Sequence, residues 1–215
     1  MQEIKEYSGT WREIWEQKGK EPGTVDDVYI YGGWNKSNGS KEEAHREIKR
    51  IFDKLVKELD ISPDSKVLEL GSGAGAYAMH FRDYLTDGMY CGVDFSQSLV
   101  DKCNKFFGCG NVISLCSEAS DLPFRDAYFD VVFCYGLFFY FADESYAEKV
   151  IKEMERVSKR VCFVGEIAHS SQHETKHLLI SKNRFMQISN NKWQISDSWY
   201  SYYKDERYNA KFNKP

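Results

Sequence analysis

The stretch Val67-Leu68-Glu69-Leu70-Gly71-Ser72-Gly73-Ala74-Gly75 constrains the fold more than any other part of the chain. A short apolar run carries an acid near its end, and three glycines then fall on alternate positions ahead of a helical pattern. A buried strand that stops abruptly and turns into a helix has this form. Glycine serves where φ turns positive, or where a ligand must approach the backbone without meeting a Cβ. The helix that follows directs its unpaired N–H groups and the positive end of its dipole at whatever lies in the turn. The glycines alone leave the ligand open. Gly71-x-Gly73-x-x-Ala76 satisfies the dinucleotide fingerprint, and a tight turn with no ligand looks the same. A Walker A loop is excluded, because no Gly-Lys-Ser/Thr follows.

The surrounding chain alternates between two periods. Strands are predicted over Lys66–Leu70, Met89–Val93, Val112–Cys116, Phe129–Cys134 and Val161–Ile167. Helices are predicted over Lys41–Leu59, Ala74–Leu85, Ser96–Phe106 and Ser145–Val157. The first of these carries Ile48, Ile51, Phe52, Leu55, Val56 and Leu59 on one face, and Pro63 follows it. Several strands are continuous apolar runs, as expected of a parallel sheet covered on both faces. The fold class is therefore α/β: a Rossmann-like, doubly wound and mostly parallel sheet with helices on both faces. Ser170 to about Ile188 reads as a further helix, and Trp193–Tyr203 with Arg207–Phe212 as a C-terminal antiparallel hairpin. At the other end, Trp11, Ile14 and Trp15 mark a short amphipathic helix, and Gly19–Ser40 is too aromatic for a solvated linker. The chain divides on this reading into a helix and aromatic lid over 1–40 and a main domain over 41–215.

A length of 215 residues suits one such domain. The formal net charge of -4 and a pI near 5.8 argue against a nucleic-acid partner. No signal-peptide core and no membrane-length apolar run is visible, so a cytoplasmic location is the default expectation. The six cysteines are scattered without a C-x-x-C pair, which favours small reduced thiols over disulfides or zinc.

Three motifs together narrow the ligand. Glu69-x-Gly71-x-Gly73-x-Gly75 resembles motif I of the class I S-adenosylmethionine-dependent methyltransferases. Cys91-Gly92-Val93-Asp94-Phe95-Ser96 places an acid at a strand end, like the family's second acidic position. Ser117-Glu118-Ala119-Ser120-Asp121-Leu122-Pro123-Phe124, followed by Asp130-Val131-Val132, is similar to the stretch in which an acid meets the adenine. The resemblance covers residues 66–167 and implies S-adenosylmethionine as cofactor, with S-adenosylhomocysteine as its product. On that resemblance Glu69 accepts from the cofactor's amino group, and Gly71, Ser72, Gly73 and Gly75 form the turn against its methionine end. Asp94 takes the ribose hydroxyls and Phe95 packs on the adenine. Glu118, where the family often has Asp, and the Ala119 N–H meet the adenine edge, while Tyr135 faces the sulfonium.

The acceptor side is less defined. Phe138 and Tyr140 follow the fourth strand, where the family lines its acceptor pocket, although core packing is the plainer role for such rings. Tyr31 and Trp34 of the aromatic segment join them as substrate-binding candidates, with Tyr29 as a further lid residue. Glu166 and His169, at the end of the fifth strand, are candidates for a general base. His173-Glu174-Thr175-Lys176-His177 forms an H-E-x-x-H string that, on a helix, would suit a zinc hydrolase. It lacks the extended histidine continuation, a polar helix face explains it equally, and no metal is expected. The expected function is methyl transfer to a small-molecule acceptor, a hydroxyl or an amine, sugars and other metabolites included. The rival is a non-catalytic S-adenosylmethionine-binding sensor or scaffold. The acceptor's identity and the oligomeric state are not legible.

Overall fold

The computed structural model describes residues 10–30, 40–171, 176–200 and 205–215. The chain opens with helix α1 (Trp11–Lys20), started by a capping box in which Thr10 accepts from the Glu13 N–H and the Glu13 carboxylate returns the bond. A short 3₁₀ turn, Val25–Asp27, leads toward α2 (Lys41–Glu58), capped in the same way by Ser40 and Glu43. Strand β1 (Lys66–Leu70) then enters the core, buried on both faces apart from its first residue.

Strands and helices alternate from there: α3 (Ala78–Tyr84), β2 (Met89–Asp94), α4 (Gln97–Phe107), β3 (Val112–Cys116), β4 (Phe129–Tyr135), α5 (Glu144–Val157) and β5 (Ser158–Ala168). A short helix α6 (Lys182–Ile188) and strands β6 (Gln194–Asp197) and β7 (Arg207–Asn213) follow. The sheet has seven strands in the order β3-β2-β1-β4-β5-β7-β6. Strands β1 to β5 pair in parallel, whereas β7 runs antiparallel to both β5 and β6.

Two apolar layers hold the sheet. One packs Ile51, Phe52 and Leu55 of α2, Phe81 of α3 and Phe107 of α4 against Val67, Tyr90 and Phe133. The other packs Val150, Ile151 and Met154 of α5 and Phe185 of α6 against Leu68, Val132 and Val164. Helices therefore cover both faces, as the apolar strands require. Helix α1 lies on α4, fixed by the Ser98 hydroxyl donating to the Glu16 carbonyl at 2.9 Å.

Two helix boundaries depart from the sequence expectation. The turn after β1 runs on to Tyr77, so α3 starts at Ala78 and not at Ala74. Gly71, Gly73 and Gly75 all take positive φ, of +73°, +52° and +92°, which no helix accommodates. The helix expected over Ser170–Ile188 is confined to Lys182–Ile188. Ahead of it the backbone is held elsewhere: Leu178 N–H donates to the Phe139 carbonyl at 2.9 Å, and Ile180 N–H to the Ala168 carbonyl at 2.8 Å. Cys91, Cys103, Cys134 and Cys162 are buried free thiols, while Cys109 and Cys116 are exposed. Among the described residues, no helix is long and apolar enough to cross a membrane.

Candidate functional site

The strand order reverses between β1 and β4, and in open α/β sheets such a switch point opens a crevice at the strands' carboxyl ends. A cavity of about 310 Å³ lies there. Its floor is the glycine turn, bound to β2 by the Gly71 and Ser72 N–H groups, which share the Val93 carbonyl at 2.7 and 3.1 Å. Asp94 ties the same turn from the side: its Oδ2 accepts from the Gly73 N–H and its Oδ1 from the Ser96 N–H, each at 2.9 Å. Each carboxylate oxygen keeps a lone pair for a ligand. Burial raises the pKa of Asp94 to about 6, against the two backbone donors that favour the anion.

Glu69 lies below, 3% exposed, and accepts a hydrogen bond from the Tyr90 hydroxyl. Its pKa is raised to about 8, chiefly by burial, with the charge of Asp94 adding and the Tyr90 bond opposing. Near neutral pH, therefore, the ligand-free site holds Glu69 mostly protonated. A folded pKa above the unfolded one contributes stability that is complete below the unfolded value and lost as the pH rises through the folded one. For Glu69 that window runs from 4.5 to about 8, and for Asp94 from 3.8 to about 6. The thermal midpoint of the ligand-free protein should accordingly fall by roughly 5 °C or more between about pH 5 and about pH 8.5. Glu69→Gln should remove most of the fall in the upper half of that range. A wild-type midpoint that is level over this range would contradict the protonated state.

The opposite wall is built by β5 and the strands beyond it. Glu166 is 2% exposed and has a φ of +62°, at a bulge where the β5–β7 register shifts between Val164 and Ile167. A left-handed non-glycine backbone costs about 1–2 kcal/mol and persists where its surroundings fix it. Here the Glu166 N–H donates to Asn209 Oδ1 at 2.9 Å, and Asn209 Nδ2 donates to the Asp197 carbonyl at 2.7 Å. The Glu166 carboxylate accepts from the Tyr135 hydroxyl at 3.1 Å, the Ser198 hydroxyl at 2.8 Å and the Trp199 N–H at 3.1 Å. Burial is the main cause of its raised pKa. Gly165 makes room for the tyrosine, since a Cβ there would lie 2.4 Å from Tyr135 Cδ2.

Glu69, Gly71, Ser72, Gly73, Asp94, Phe95, Tyr135, Tyr140 and Glu166 line this one cavity. Gly75 stands behind it, where a Cβ would strike Cys103 and Phe107 of α4. Other expected site residues are placed elsewhere. Phe138 is fully buried in the core beside Phe141 and Phe185, because its 3₁₀ turn sends it and Tyr140 in different directions. Ala119 packs against the same core, and Glu118 is bound by Arg12 and by the Tyr146 hydroxyl at 2.8 Å. His169 does not line the cavity; its N–H donates to the Glu206 carbonyl and its ring lies 5.9 Å from that of Tyr208.

Tyr31, Trp34, His173 and Glu174 lie outside the described residues, while Tyr29 lines the cavity. His177 also lines it, but from a bend and not a helix, with its ring stacked on Trp11 at 5.2 Å. His177 therefore does not sit on a helix as the H-E-x-x-H reading requires. Among the described residues, no group of three or more His, Cys, Asp and Glu could hold a metal ion.

Several lining residues escaped the sequence reading: Trp15, Glu47, Ile48, Tyr77, Tyr200 and Arg207. Ile48 and Ile51 mark the signal that was available, since an apolar face can turn toward a cavity as readily as toward core. Trp15 is the more telling case. Its side chain lines the cavity, while its indole Nε1 is buried and has no hydrogen-bond partner among the described residues.

Residues 67–160 match a methyltransferase domain family. An uncharacterized methyltransferase of Bacillus subtilis (strain 168), YcgJ, is 30% identical over 109 residues, which are 49% of this chain and 41% of that protein. The match thus spans less than half the length of this curated relative. The crystal structure of the Bacillus protein superimposes with a TM-score of 0.57 at 23% identity, over 68% of this chain and 69% of that one. Magnesium protoporphyrin IX methyltransferase from Synechocystis, solved with bound SAH, gives 0.64 at 13% identity over 94% of both chains. The [4+2]-cyclase SpnF gives 0.67 at 15% identity over 96% of both. At these identities the superpositions speak for the fold. Residues 67–160 thus carry a methyltransferase domain that includes the glycine turn, both strand-end acids and the Asp130-Val131-Val132 strand, the residues by which the chain resembles the class I S-adenosylmethionine-dependent methyltransferases.

Proposed function

We propose that the protein transfers a methyl group from S-adenosylmethionine to a small-molecule acceptor, at a hydroxyl or an amine. One observation carries the reading: two buried carboxylates flank a glycine turn on one wall of the cavity, and a third, Glu166, stands on the other. The donor set suits the cofactor. Glu69 accepts from an amino group, Asp94 offers a lone pair on each oxygen to a ribose diol, and Phe95 offers a ring face.

When bound, the cofactor supplies a methyl group already activated on a cationic sulfur. The chain's own residues then position the acceptor and take its proton. Tyr135 and Tyr77 line the space beyond the turn, and Tyr135 donates to Glu166. The acceptor's O–H or N–H proton passes to the Glu166 carboxylate, which burial has made a stronger base than a solvated glutamate. His169, outside the cavity, is not needed for this step. Tyr29, α1 and α2 cover the site and limit water.

Calorimetry with S-adenosylmethionine and S-adenosylhomocysteine tests the shared premise, with micromolar binding of both expected. Failure to bind either one would end the reading. Binding accompanied by no S-adenosylhomocysteine formation across hydroxyl and amine acceptors would favour a sensor or scaffold.

A further inference from the structure

We propose that Arg12 is a resident occupant of the adenine subsite, and that the cofactor's adenine reaches the Phe95 ring by displacing it. The inference rests on reading the cavity as an S-adenosylmethionine site. The resemblance to the methyltransferase family puts the adenine over Phe95 and toward Glu118, beyond the end of β3. In the structure that position is already filled. The Arg12 guanidinium carbon lies 4.6 Å from the centroid of the Phe95 ring, and the same guanidinium pairs with Glu118. A purine stacked between the two would need them about 7 Å apart, two contact separations of about 3.5 Å. The cavity reflects this: Phe95 and Trp15 line it, but Glu118 and Ala119 do not.

The replacement is chemically matched. A guanidinium is planar, stacks on aromatic faces and donates N–H groups to a carboxylate. The adenine 6-amino edge and ring face present the same two features to Glu118 and Phe95. Glu118 keeps its place without Arg12, because the Tyr146 hydroxyl holds its Oε2 at 2.8 Å. Displacement requires only a rotamer change. The Arg12 and Glu118 side chains are 57% and 42% exposed, so the pair is weak and readily released. Helix α1 itself stays: Ser96 and Ser98 hydroxyls hold Glu16 at 2.7 and 2.9 Å, and Lys102 holds the Glu21 carbonyl at 2.6 Å.

Titration calorimetry with S-adenosylhomocysteine on the wild type, Arg12→Ala and Arg12→Lys reads the competition directly. Arg12→Ala should bind about three- to tenfold more tightly, since an exposed ion pair and an exposed cation–π contact no longer have to be broken. Arg12→Lys should fall between the two. Adenosine, which lacks the methionine end, should show the same gain. Raising the salt from about 0.05 M to about 0.5 M should narrow the difference by screening the wild-type pair. An Arg12→Ala affinity equal to or weaker than wild type would overturn the inference and leave the cofactor reading intact. Absence of binding by both proteins would overturn the cofactor reading, and this inference with it.

Discussion

Asp94→Ala should weaken S-adenosylhomocysteine binding by about a hundredfold or more, as measured by titration calorimetry. One carboxylate performs two tasks there. It fixes the glycine turn through the Gly73 N–H and the start of α4 through the Ser96 N–H, and it presents its remaining lone pairs to the ligand. Hydrogen bonds to a charged acceptor contribute about 1.5–3 kcal/mol each, so the loss of two at a ribose diol exceeds the roughly 2.7 kcal/mol of a hundredfold change. The turn loses an anchor as well, and the Gly73 N–H loses its acceptor. Folding stability should respond less than affinity, because the alanine also removes a carboxylate whose burial holds its pKa near 6. Wild-type affinity should itself decline as the pH falls below about 6 and the acceptor becomes a protonated acid. Unchanged affinity in folded Asp94→Ala would place the ribose elsewhere.

The second large effect concerns the other wall. Glu166→Gln should lower turnover by at least about a hundredfold, the usual lower range for loss of a general base. Its affinity for S-adenosylhomocysteine should stay within about threefold of wild type, because Glu166 stands on β5 and the glycine turn follows β1. The amide keeps the side chain's volume but offers a single carbonyl oxygen in place of two anionic ones. The Tyr135 and Ser198 hydroxyls and the Trp199 N–H must then share it. A turnover-versus-pH profile separates a base from a structural residue: the ionisation on the acid side should vanish with the glutamine. Full activity in Glu166→Gln, or an equal loss of affinity and turnover, would remove Glu166 as the base.

The donor half of this site was legible in the sequence because it is local. Glu69, the glycines and Asp94 sit at the ends of apolar strands, and each strand is marked by its own composition. The boundary of α3 was not legible, since Ala74 and Ala76 suit a helix and only the positive φ values of Gly73 and Gly75 keep the turn open. Leu178–Ser181 carried a helical pattern that the Phe139 and Ala168 carbonyls overrode. The acceptor wall was the least accessible part. Glu166, Ser198 and Asn209 meet only through the pairing of β5 with β7 and β7 with β6, and nothing within any one segment announces that meeting. Phe138 and Tyr140, two positions apart, part company between core and cavity because the 3₁₀ turn they share sends them in different directions. The chemistry of the acceptor is likewise absent from the fold: a porphyrin methyltransferase and a [4+2]-cyclase both superimpose on this chain.

Because β7 lies between β5 and β6, the two walls of the cavity are completed at different times during synthesis. The donor turn and its acids are all present once β4 has emerged, at residue 135. Glu166 acquires its strained backbone only when Asn209 arrives on β7 to hold its N–H. At roughly 5–20 residues per second, the interval is on the order of several seconds. On the proposed function, a nascent chain can therefore hold the methyl donor before the wall that carries Glu166 is in place.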